Sequence, residues 1–90
     1  MRIIGKTIGI NFRRYDTTGE SSSVERCFGV IDAVMTDGLV VSMQGTRSGE
    51  VIKVPSDVEH VSLQGEFYFP ESDDWVKLEL FHEVQLRTSN

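Results

Sequence analysis

Residues 76–86 read VKLELFHEVQL, in which Val76, Leu78, Leu80, Val84 and Leu86 alternate with Lys77, Glu79, Phe81, Glu83 and Gln85. A period of two places successive side chains on opposite faces of a strand, whereas a helix would scatter these aliphatics around its circumference. The segment is expected to be a half-buried strand, with His82 the exception on its apolar face. Few other patterns constrain a short chain as strongly, because the apolar face then has to be covered by something else in the same molecule.

The rest of the chain continues in the same period. Residues 3–12 (IIGKTIGINF) put Ile4, Ile8, Ile10 and Phe12 on one side and Gly5 and Gly9 on the other, with Lys6 interrupting. Residues 24–36 are apolar on both faces, Phe28, Val30 and Val34 against Cys27, Ile31, Ala33 and Met35. That pattern belongs to a central strand or to one that bends from one sheet into a second. Asp37-Gly38 between two β-branched runs predicts a hairpin with a type I′ turn. Strands are expected at 39–44 and 50–54, with Pro55 ending the latter because it has no amide to give to a ladder. Ser56 followed by Glu59 is a capping box and predicts a single helical turn near residues 56–60. Residues 61–63 and 66–69 complete the set, and the polar run YDTTGESSS at 15–23 is a loop.

A chain of 90 residues has room for one domain, 1–90, and buries only roughly two thirds of its unfolded surface. Short strands joined by turns are then best served by closure, which removes exposed edges. The expected fold is all-β, a small barrel of five to seven antiparallel strands. The stretches GVIDAVMTDGLVVSM and GEVIKVPSDVEHVSL resemble the strand, tight turn, strand, helical turn, strand order of SH3-like small barrels over roughly residues 28–63. The resemblance is architectural. It implies an interaction module for peptides, proteins or nucleic acids, and it transfers no site residue. An OB-like barrel is the alternative, set back by the lack of a substantial helix between strands.

The apolar stretches are too short for a membrane helix. The start, MRIIGKTIGINFRR, lacks the long apolar core of a signal peptide, and the single Cys27 suits a reducing compartment, so a cytoplasmic location is expected. Cys27 with His60 or His82 is the one nucleophile and base combination on offer, but Cys27 sits in an apolar strand and His82 in an aliphatic stripe. No Walker loop, dinucleotide fingerprint or nucleophile elbow is present. Glu71, Asp73 and Asp74 lack the glycine and distal glutamate of an EF-hand, and one cysteine with two separated histidines gives no zinc spacing. No catalytic residue, metal or cofactor is assigned.

Binding is the expected role. The net charge is −5, yet residues 1–30 hold five basic groups against three acidic ones, and residues 31–90 hold four against eleven. Opposite charges facing one another across paired strands would explain part of this asymmetry. Trp75 and Phe81 fall on the polar face of the last strand, and Tyr68 is opposite in parity to Phe67 and Phe69. Large rings beside carboxylates are common interface anchors. Tyr68, Glu71, Asp73, Asp74, Trp75 and Phe81 are therefore the candidate partner-binding residues, facing a protein with a basic surface. Such a protein would act as an acidic regulator or inhibitor of a nucleic-acid-handling partner. Alternatively, Arg13, Arg14 and Tyr15 form a basic, ring-bearing patch for nucleic acid, a reading that the overall negative charge disfavours. An uncovered edge strand would permit a homodimer.

Overall fold

The computed structural model describes residues 3–16, 18–60 and 65–87, with the backbone alone for Ser21, Ser22, His60 and Arg87. Among these residues the chain is almost wholly β. The strands are β1 (Thr7–Tyr15), β2 (Ser21–Met35), β3 (Gly38–Gln44), β4 (Val51–Val54), β5 (Glu59–His60), β6 (Phe67–Phe69), β7 (Asp74–Val76) and β8 (Leu80–Arg87). A single 3-10 turn spans Gly45–Arg47. Six strands make one sheet in the order β4-β3-β2-β1-β8-β5, and β6 and β7 make a separate hairpin.

That order obliges the sheet to curl. Its two edges, β4 and β5, are joined by residues 55–58 alone. Five strand spacings would set the edges of a flat sheet about 24 Å apart. The chain from Val54 to Glu59 reaches at most about 18 Å. The result is a half-barrel, in keeping with the small β-barrel expected. Its concave side holds Ile8, Ile10 and Phe12 of β1, Cys27 and Ile31 of β2, Leu39, Val41 and Met43 of β3, Val54 of β4 and Leu80 of β8.

Several local expectations are revised. The strands are not all antiparallel: β1 and β8 run parallel, with Ile8 opposite Leu80 and Phe12 opposite Val84. The chain leaves β5, passes through the separate β6–β7 hairpin and re-enters beside the start of β1, where the Glu79 amide donates to the Thr7 carbonyl at 3.0 Å. The helical turn is at Gly45–Arg47 rather than 56–60. Glu59 and His60 pair with Phe81 and Leu80, and β pairing draws residue 59 out of the helical conformation that a capping box requires. The 37–38 hairpin forms one residue earlier, with Met35 opposite Gly38. Neither Thr36 nor Asp37 has a positive φ, so the turn is not type I′. Gly38 is required for another reason: a Cβ there would lie 2.5 Å from the Val54 carbonyl oxygen of the adjoining strand.

Two apolar positions also differ from their alternation. Ile4 lies in a turn ahead of β1 and is exposed. The stripe at 76–86 is broken at residues 77–79, between β7 and β8. Leu80 enters the barrel core, while Leu78 is buried on the opposite, convex face of the sheet. The expected strand at 61–63 lies outside the described residues. No helix among the described residues is long and apolar enough to cross a membrane.

The hairpin formed by β6 and β7 crosses the convex face and is held by apolar seats. Leu78 lies over Gly9 of β1, where a Cβ would come within 2.7 Å of its Cδ1. The Phe69 ring packs on Phe28 of β2 at 4.8 Å between centroids. Ser72 lies beside Gly45 at the end of β3. Gly9, Phe28 and Gln44 are successive cross-strand partners, so the covering segment runs across three neighbouring strands. A two-stranded hairpin has little stability of its own. Phe69→Ala, which empties a buried site worth about 3 kcal/mol, is expected to speed amide exchange in β6 and β7 about a hundredfold while β1–β3 stay protected. Unchanged exchange in the hairpin, read by NMR, would contradict this seating.

Candidate functional site

The inward face of the hairpin carries Phe67, Phe69 and Val76, and period two leaves Tyr68 and Trp75 on the other face. These two are direct cross-strand partners. Their rings are in contact at 5.0 Å between centroids and 42° between planes. Trp75 is 64% exposed and Tyr68 42%. The seat that buries Phe69 thus obliges the Tyr68–Trp75 pair to face solvent.

Beside the pair, residues 70–73 form the turn that joins Phe69 to Asp74. Asp73 has φ 55°, the one positive value at a non-glycine among the described residues. The Tyr68 hydroxyl donates to Asp73 Oδ1 at 2.7 Å, which fixes that carboxylate next to the rings and raises the phenol pKa above its usual value. Glu71 and Asp73 are exposed in the turn, whereas Asp74, the cross-strand partner of Phe69, is half-buried on the inward side at the edge of the hairpin.

The remaining charges show why this carboxylate group stands out. Lys6 pairs with Glu79 at 3.0 Å, Arg13 with Glu83 at 3.3 Å, Arg14 with Glu25 at 3.3 Å, and Lys53 with Asp37 at 2.7 Å. Two of these pairs, Lys6–Glu79 and Arg13–Glu83, join the basic first third of the chain to its acidic remainder. Glu71, Asp73 and Asp74 have no cationic partner among the described residues. Residues 57–77 carry six carboxylates and one lysine, a local charge equal to the −5 of the whole chain.

Not every candidate residue joins this surface. Phe81 lies on the convex face as parity predicts, but it is half-buried beside Leu78 and Gly9. It lines a separate cleft of about 240 Å³ with Asp57, Glu59, His82 and Glu83. Arg13, Arg14 and Tyr15 are consecutive on β1, so they alternate between faces, and both arginines are already ion-paired. Cys27 and His82 both stand opposite Ile10, one on each flanking strand. Two strand spacings separate them by about 10 Å, too far for a nucleophile and its base. The Cys27 thiol is 3% exposed. Burial, with the Glu25 carboxylate beside it, pushes its pKa up to about 11. The side chain of His60 lies outside the described residues. Among the described residues no three His, Cys, Asp or Glu side chains converge to hold a metal ion.

No pattern in the chain marks Arg47, which closes one end of the barrel. Its guanidinium sits 4.5 Å from the Phe12 ring centroid. It forks Glu25 through Nε to Oε2 and Nη2 to Oε1, both at 3.0 Å, and Nη1 reaches Glu50 at 2.9 Å. A glycine-flanked arginine in a loop has no periodicity to mark such a role. Compared with known proteins, the chain matches no family model, and no curated protein or solved structure shows significant similarity to it.

The Arg47 contact has a pH signature. Chiefly through its hydrogen bond from Arg47, the Glu25 carboxyl is lowered from 4.5 to about 2. The folded state binds fewer protons at this group than the unfolded chain does. Its stabilisation is therefore complete above about pH 4.5 and is lost as pH falls toward about 2. Arg47→Met is expected to lower the urea midpoint at pH 7, and its deficit relative to the parent should narrow through that acid range. A deficit independent of pH would contradict the assignment.

Proposed function

We propose that the protein is a non-enzymatic binding module whose hairpin, through the outward rings Tyr68 and Trp75 and the carboxylates Glu71, Asp73 and Asp74 at its turn, takes a protein partner with a basic surface. One observation carries the proposal. The sole tryptophan is held out in solvent against a second ring, beside three carboxylates that have no cationic partner among the described residues. Tryptophan and tyrosine are over-represented among interface residues whose loss costs most, and uncompensated charge of one sign steers an oppositely charged partner.

The face is small, so the module would add to a larger contact or regulate rather than form a permanent assembly. An acidic protein of this kind would inhibit a nucleic-acid-handling partner by occupying its positive groove, in a cytoplasmic setting. The SH3-like character of the barrel belongs to the same proposal. The β1–β4 meander and the return of the last long strand to β1 support it, while the parallel β1–β8 pair departs from an all-antiparallel barrel. Phe81 is a secondary candidate in its own cleft. Direct nucleic-acid binding through Arg13, Arg14 and Tyr15 is weakened by the ion pairs to Glu83 and Glu25.

A peptide of mixed lysine and arginine composition, titrated calorimetrically, is expected to bind with an affinity that falls as salt rises. The triple variant Glu71→Gln, Asp73→Asn, Asp74→Asn is expected to bind it about tenfold more weakly; asparagine tolerates the positive φ at position 73. No binding, or binding indifferent to the triple variant, would overturn the proposal.

A further inference from the structure

The geometry points to arginine as the side chain that this face recognises: its guanidinium would stack on the Trp75–Tyr68 pair and fork the adjacent carboxylates. The inference rests on the proposed basic partner and adds the chemistry of its anchor.

Two features combine here that a surface patch of either kind alone would lack. An exposed indole presents an electron-rich face, which attracts a cation and more often holds arginine than lysine because a planar guanidinium can lie flat against a ring. The Asp73 carboxylate, tied to the Tyr68 hydroxyl, and the exposed Glu71 in the same turn supply acceptors for its amino groups. Asp73 is the central one. The Tyr68 hydroxyl occupies its Oδ1, leaving Oδ2 for an incoming donor, and the turn that carries Asp73 is fixed by the same bond.

The molecule already contains an arrangement of this chemistry. Arg47 lies over the Phe12 ring at 4.5 Å and forks Glu25 through two nitrogens. The Tyr68–Trp75 face repeats the ring and the carboxylates with no guanidinium among the described residues. Lys77, the one cation in residues 57–77, follows Val76 and forms no ion pair with Glu71, Asp73 or Asp74. An arginine from another molecule therefore meets exposed rings and a carboxylate already held beside them.

Homopeptides of arginine, lysine and citrulline, matched in length, separate the contributions. Citrulline keeps the planar head and removes the charge. At one fixed salt concentration, calorimetry is expected to show the arginine peptide binding about tenfold more tightly than the lysine peptide, and the citrulline peptide not measurably. Trp75→Leu should weaken the arginine peptide about tenfold and erase its advantage over lysine, whereas Trp75→Phe should keep part of that advantage. Equal binding of arginine and lysine, still dependent on the carboxylates, would overturn arginine recognition and leave the basic-partner proposal standing. An arginine advantage that survives Trp75→Leu would likewise overturn it. Binding of neither peptide would overturn both.

Discussion

The seating of Phe69 on Phe28 and of Leu78 over Gly9 is the contact on which the surface of the molecule depends. Without it the β6–β7 hairpin would be a short ribbon with no apolar support, and the convex face of the sheet would expose Phe28 and Phe81. With it, each inward ring dictates the direction of its neighbours by the alternation of a strand. Phe67 and Phe69 point to the sheet, and Tyr68 must point away. Trp75, opposite Tyr68, follows. The exposed aromatic pair is a consequence of burial on the other side of a three-residue strand.

Two apolar layers thus share one sheet. The concave side is the main core, closed at one end by Arg47 over Phe12 with its charge met by Glu25 and Glu50. The convex side carries a smaller cluster under the hairpin. β2 serves both, with Cys27 and Ile31 in the core and Phe28 in the outer cluster, which is why its sequence is apolar on both faces. Glycine makes the double use feasible: Gly9 leaves room for Leu78, and Gly38 admits the Val54 carbonyl. Charge follows the same economy. Lys6, just ahead of the first strand, and Arg13 and Arg14 within it are paired with Glu79, Glu83 and Glu25, so the negative surplus falls on the segment that includes the hairpin.

Much of this was legible in the chain. Period two identified β1 and β8, turn signals at Asp37-Gly38 and Gly45 to Gly49 marked β3 and β4, and the breadth of apolar residues in β2 announced a strand with two buried faces. Parity also assigned Tyr68, Trp75 and Phe81 outward, and it was right for all three. What parity could not supply was the cover, because whether an outward ring meets solvent or another segment is decided by residues distant in sequence. Phe81 lies with Leu78 over Gly9; Trp75 meets no such cover among the described residues. The helical turn was misplaced for a similar reason: local capping chemistry at Ser56 and Glu59 yielded to the pairing of Glu59 with Phe81. The corner at residues 77–79 was hidden by an alternation that continued through it, although Leu78 and Leu80 end on opposite faces. The approach of β8 parallel to β1 is likewise a property of the connection and not of either strand.

The single tryptophan stands in water within the negative field of Glu71, Asp73 and Asp74. Collisional quenching of Trp75 fluorescence at low ionic strength by caesium and by iodide tests it most directly, with the Glu71→Gln, Asp73→Asn, Asp74→Asn protein as the reference. Both ions should reach the indole, and removal of the three charges should decrease quenching by caesium and increase quenching by iodide. Emission typical of a buried indole, resistant to both ions, would contradict the account; so would quenching by the two ions that does not respond to the substitutions.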